Sequence, residues 1–206
     1  MNATGTTLNA ATTSAFYVKP IRSVQGLTEE LFYNTTTGEI SRYTTYYRYN
    51  FTHNNIRVGI NAGPNSENSS NTISIGTSAA NSGSGSYAQG AESIAIGKQA
   101  GYYNQGEKSI TIGSHAGWCS QQDYSIAIGY QSARNAFQSG TGHNNVIIGT
   151  NAGKSFTSAT YNVAIGGKAL EDASTLDYTV AIGHECMMNA TTGSSNCVVG
   201  YYAAPL

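Results

Sequence analysis

Few side chains in this chain are of the types that carry out chemistry, and those few are dispersed. His184-Glu185-Cys186 and the pair His115 and Cys119 contain metal-capable groups, yet neither supplies three or four ligands at a recognisable zinc spacing. The acids Asp123, Asp172 and Asp177 are scattered, so no carboxylate pair of the kind that cleaves glycosides can be read. Gly83-Ser84-Gly85-Ser86-Tyr87-Ala88 matches a loose dinucleotide-binding pattern, but a phosphate cradle needs a strand before it and a helix after it, and this segment reads as a linker. The expectation is a protein that is not an enzyme, with no catalytic residue, cofactor or metal.

Composition narrows the partners. Only 10% of the residues are charged and the formal net charge is −1, with no Lys/Arg cluster able to neutralise phosphates. Nucleic acid is therefore not expected as a partner. No run approaches 18 apolar residues, and Met1-Asn2-Ala3-Thr4-Gly5 has neither the basic nor the apolar region of a signal peptide. Membrane insertion is not expected. Cys119, Cys186 and Cys197 show no disulfide-framework spacing and read as small hydrophobes.

The elements that position these residues announce themselves by repetition. A glycine preceded by Val or Ile recurs at Gly59, Gly76, Gly97, Gly113, Gly129, Gly149, Gly166, Gly183 and Gly200, at spacings of 17, 21, 16, 16, 20, 17, 17 and 17. Three residues after each comes Ala62, Ala79, Ala100, Ala116, Ser132, Ala152, Ala169, Cys186 or Ala203. Before each glycine the residues alternate, as in Ile94-Ala95-Ile96 and Val163-Ala164-Ile165, which is the period of a strand. Glycine ends the strand because it turns where a β-branched residue cannot. A unit this short cannot bury its own apolar face, so units must stack, strand parallel to strand.

The expected fold is all-β: a parallel β-roll or β-solenoid of about nine coils over 55–206. A small N-terminal β cap or docking module is expected over 15–54, where 39–51 reads as one aromatic strand, and a flexible tail over 1–14. The paired Ile/Val residues are expected to fill the narrow interior. The small middle residues, Ser74, Ala95, Thr111, Ala127, Ala164 and Ala181, are expected to form an outer stripe against which other chains pack.

The repeats Ser93-Ile94-Ala95-Ile96-Gly97-Lys98-Gln99-Ala100, Ser125-Ile126-Ala127-Ile128-Gly129-Tyr130-Gln131-Ser132 and Asn162-Val163-Ala164-Ile165-Gly166-Gly167-Lys168-Ala169 resemble the head repeats of YadA-type trimeric autotransporter adhesins. The resemblance covers roughly 55–204 and implies a left-handed, homotrimeric β-roll used for attachment. Similar longer repeats occur in tail-fibre-like proteins of phages and large DNA viruses. The segments 15–22 and 31–40 look like the fibre modules of those proteins.

The resemblance implies a fibre or spike protein at a virion surface, serving attachment or acting as a rigid spacer. Its partners would be itself as a homotrimer, other virion or fibre proteins through the N-terminal region, and a host glycan or protein receptor. A cell-surface adhesin or glycan-binding module, extracellular in location, is the alternative; a carbohydrate-active trimeric enzyme is a distant third. Among fifteen tyrosines, Tyr102, Tyr103, Tyr130, Tyr201 and Tyr202 are the candidate ligand contacts, because amphipathic rings stack on sugars or anchor protein partners.

Overall fold

A computed structural model describes residues 30–34, 39–43, 47–50, 53–63, 69–81, 89–119, 121–135 and 142–205. The expected tail over 1–14, the Gly/Ser linker over 82–88 and most of the second insertion, 136–141, lie outside the described residues. Contacts divide the chain into two compact units, Met1–Thr45 and Tyr46–Leu206. In the first, β1 (Glu30–Asn34) and β2 (Glu39–Tyr43) form an antiparallel pair. The aromatic stretch expected as one strand is divided between β2 and β3 (Tyr47–Asn50), which belongs to the second unit and pairs antiparallel with β4 (Asn55–Val58).

From β4 onward the chain is a parallel β-solenoid of about seven turns, and no helix occurs among the described residues. The succeeding strands are β5 (Ile73–Ile75), β6 (Ile94–Ile96), β7 (Ile110–Ile112), β8 (Ile126–Ile128), β9 (Val146–Ile148) and β10 (Val163–Ile165). After β11 (Thr175–Asp177) come β12 (Val180–Ile182), β13 (Thr192–Ser194) and β14 (Cys197–Val199). Strands β4 to β10, then β12 and β14, form one ladder in which each is parallel to the next; β11 and β13 make a separate parallel pair. Register keeps equivalent residues above one another, Ile94 over Ile110 over Ile126.

The glycine that ends each ladder strand has φ between 125° and 144°. Its lack of a side chain is required twice over. A Cβ built on Gly97 would lie 2.6 Å from the carbonyl oxygen of Gly113, and one on Gly129 2.6 Å from that of Gly149. Glycine thus permits both the corner and the close stacking of coils.

Three further corners per coil are turned by residues in the left-handed region. They lie five residues before the glycine (Asn54, Lys108, Tyr124, Tyr178), two after it (Asn61, His115, Lys168) and four after it (Ala80, Gly101, Leu170, Met187). Non-glycine residues there cost about 1–2 kcal/mol each, a cost the inter-coil hydrogen bonds must offset.

One expectation is reversed. Ala95, Thr111, Ala127, Ala164 and Ala181 are completely buried inside the solenoid, whereas the flanking Ile and Val residues are only partly buried. The small stripe is the interior and the Ile/Val pair points outward. The reason is circumference: a 16- or 17-residue coil with four corners encloses a space that the middle strand residue shares with the buried small residue three after the glycine. Two β-branched side chains per coil cannot enter it. Ile147, buried at a middle position, is accommodated where its coil places Gly153 against it.

Candidate functional site

The exposed side chains stand in ladders because register repeats each coil position directly above the last. At the corner five residues before the glycine, Asn54 Nδ2 donates to Asn71 Oδ1 at 3.2 Å. Further along, Lys108 Nζ lies 5.4 Å from the centroid of the Tyr124 ring. Tyr161 and Tyr178 stack at 5.1 Å with planes 6° apart. Each of these contacts joins neighbouring coils, so this corner carries a row of side chains that touch in pairs. Tyr124, Tyr161 and Tyr178 are all more than half exposed.

The five tyrosines expected as ligand contacts do not form one site. Tyr102 and Tyr103 are partly buried on the return segment, where Tyr102 stacks on Trp118 at 6.2 Å and Tyr103 meets it edge-on at 5.2 Å. Arg134 lies over the same indole at 5.5 Å. This cluster joins three successive coils through ring and cation contacts worth about 0.5–1.5 kcal/mol each. Tyr130 is exposed one residue after its glycine. Tyr201 occupies the equivalent position in the last coil, 78% exposed, stacked on His184 at 5.7 Å and 6.4 Å from Tyr202.

The row holding Tyr124, Tyr161 and Tyr178 was not singled out from the sequence. A signal existed: each lies five residues before a repeat glycine, so alignment on the glycines puts them in one column.

Among the described residues, no group of three His, Cys, Asp or Glu side chains converges in a way that could hold a metal ion. All three cysteines are free; Cys186 is buried and its thiol pKa is raised by that burial. His115 lies beside Ser114, whose hydroxyl is 2.9 Å from Nδ1. Burial, with Arg134 and Lys98 adding to it, lowers the His115 pKa below its ordinary value. Lys168 donates to Glu185 at 3.2 Å, a bond that raises the lysine pKa. The first contact is between adjacent residues of one coil; the second joins two coils, its partners seventeen residues apart.

The chemistry on display is that of surfaces: an outward double row of Ile and Val on the ladder, and aromatic rows at the corners. Comparisons with protein-family models, with characterised proteins and with solved structures each returned no match.

Proposed function

We propose that this chain is a segment of a structural fibre or spike on a virion, formed by three copies packed around a common axis. Each of the nine repeats supplies one coil, the N-terminal region docks to neighbouring virion proteins, and the product serves attachment or acts as a rigid spacer. The observation that carries this reading is the outward double row: Ile73, Ile94, Ile110 and Ile126 in one line, Ile75, Ile96, Ile112 and Ile128 in the other, all partly exposed. At the last ladder strand, Val199 is 67% exposed.

An apolar stripe of this length on a flat parallel sheet is the kind of surface that soluble proteins cover by association. The association argument keeps its force although the expected contact face is reversed, since β-branched residues bury more apolar area than alanines do. Homotrimerisation and the virion setting rest on the resemblance of the repeats and of segments 15–22 and 31–40 to adhesin heads and viral fibres.

The test is the solution mass by light scattering coupled to size-exclusion chromatography. A mass near three times 21.6 kDa supports the fibre. Ile126→Glu with Ile128→Glu, both outward, should lower the mass to that of one chain while retaining the β circular-dichroism signal. A wild-type chain that is already a monomer overturns the reading. A second reading, an adhesin or glycan-binding module, is favoured by the exposed tyrosine rows.

A further inference from the structure

The corner row contains a gap. Its residues from the coil of Gly113 to the coil of Gly183 are Lys108, Tyr124, Asn144, Tyr161 and Tyr178. Lys108 covers the face of Tyr124 that looks toward the preceding coil, and Tyr178 covers the face of Tyr161 that looks toward the following one. Register leaves the two remaining ring faces two coils apart, on either side of a single coil whose contribution to the row is Asn144, a side chain far shorter than tyrosine. Asn144 holds the same left-handed backbone as its neighbours, φ 58° against 57° for both Tyr124 and Tyr161, so the row passes through it without a change of course.

Rings one coil apart in this row are 5.1 Å apart. Rings two coils apart are therefore separated by about 10 Å. A flat aromatic guest held at van der Waals distance on both sides needs only about 7 Å and would be loose. A chair pyranose, puckered and bearing axial hydrogens on both faces, needs about 8–10 Å.

From this geometry we infer that Tyr124 and Tyr161 form a slot that sandwiches one pyranose ring, with the Asn144 amide at its floor able to donate to and accept from a sugar hydroxyl. The sandwich also selects configuration. Both faces of the guest must be apolar, which requires every hydroxyl to be equatorial, the gluco configuration in its β-glycosidic form. An axial hydroxyl, as at C4 of galactose, would press an oxygen against one ring without a partner. The slot is built within one chain and goes beyond the fibre reading, on which it does not depend.

The experiment is a ligand-observed saturation-transfer NMR titration of the full chain with methyl β-D-glucopyranoside and, in parallel, methyl β-D-galactopyranoside. The glucoside is expected to bind at least fivefold more tightly than the galactoside, and Tyr161→Ala to weaken it at least tenfold. Asn144→Tyr is the decisive variant. It fills the gap with a residue this corner already accepts at Tyr124, Tyr161 and Tyr178, so it should abolish binding while leaving the melting temperature unchanged, and Tyr201→Ala should leave binding intact. Absence of glucoside binding, equal binding of the two glycosides, or retention of binding by Asn144→Tyr overturns the slot. Solution mass measured on the same samples reports separately on association.

Discussion

The coils between Gly97 and Gly129 repeat every 16 residues, and those between Gly149 and Gly200 every 17. That single residue accompanies a different interior. In the shorter coils, Gln105 and Gln121 are buried: Gln105 Nε2 donates to the carbonyl of Ile94 at 2.8 Å, and Gln121 Nε2 to that of Ser125 at 2.7 Å. The return segments there form no named strand among the described residues, only an isolated parallel bridge from Tyr103 to Cys119. In the longer coils the return segment has room for the β11–β13 pair, and Phe156, Leu170 and Leu176 are buried with Ile147 in one apolar cluster.

The filling also sets which residue turns the corner four after the glycine. A Cβ on Gly101 would come within 2.5 Å of Gln105 Oε1, and one on Gly117 within 2.6 Å of Gln121 Oε1. In two of the longer coils that corner is Leu170 or Met187, whose side chains become part of the core. The same backbone template thus supports a polar interior closed by glutamine and an apolar one closed by leucine.

The largest expected effect tests the shared template. Gly97→Ala and Gly149→Ala, one in each region, should each cost about 4 kcal/mol or more, because the new Cβ meets backbone and the φ is one that glycine alone tolerates. Urea unfolding followed by circular dichroism measures this, and a mild effect in either region would break the idea of a common backbone.

Next, Leu176→Ala should cost about 3 kcal/mol through lost burial and the cavity left behind. Gln105→Ala should cost less, about 1–2 kcal/mol, since it mainly strips a donor from buried carbonyls and removes an Oε1 that is itself without a partner. Equal costs would mean that the two interiors differ in chemistry and not in strength.

Asn162→Ala should fall near the second of these, about 2 kcal/mol. Asn162 Nδ2 donates to Asn145 Oδ1 and to the Leu176 carbonyl, while its Oδ1 accepts from the Thr179 backbone, a polar strand running through the otherwise apolar region. Thermal melts would show whether that strand or the Leu/Phe cluster dominates there.

The smallest effect is in pH. The folded pKa of His115 lies below the unfolded value of about 6.5. The unfolded chain therefore takes up the proton more readily, and this contribution to stability is present above pH about 6.5 and lost as pH falls below it. The melting temperature should drop slightly between pH 7.5 and 5.5, and His115→Asn, which tolerates the same left-handed backbone, should flatten that slope.

Much of the fold was legible in the residues themselves. The recurring Val/Ile-Gly fixes strand ends, the alternation before it fixes a strand, and the small residue three later marks a position that is buried in Ala79, Ala100, Ala116, Ser132, Ala152, Ala169 and Cys186. Parallel stacking follows from units too short to fold alone. The candidate site was less legible. Tyr102 and Tyr103 read as surface rings because they lie between strands, but Trp118 from the next coil packs against them and Arg134 from the coil after lies over Trp118, which depends on the register of return segments.

Local chemistry therefore determined the strands, the glycine corner and the direction in which units stack, because glycine and β-branched residues act on their own backbone. Which face of the strand points inward was decided only by the tertiary structure. Alternation divides Ile94 and Ile96 from Ala95, yet it is unchanged when the two faces are exchanged. The choice falls to the circumference of the closed coil, which admits one small side chain per strand and sends the large pair to the surface. The tyrosine row is of the same kind: its members lie 17 or 37 residues apart, and only stacking in register brings Tyr161 against Tyr178 and puts Tyr124 in the same row, with Asn144 between.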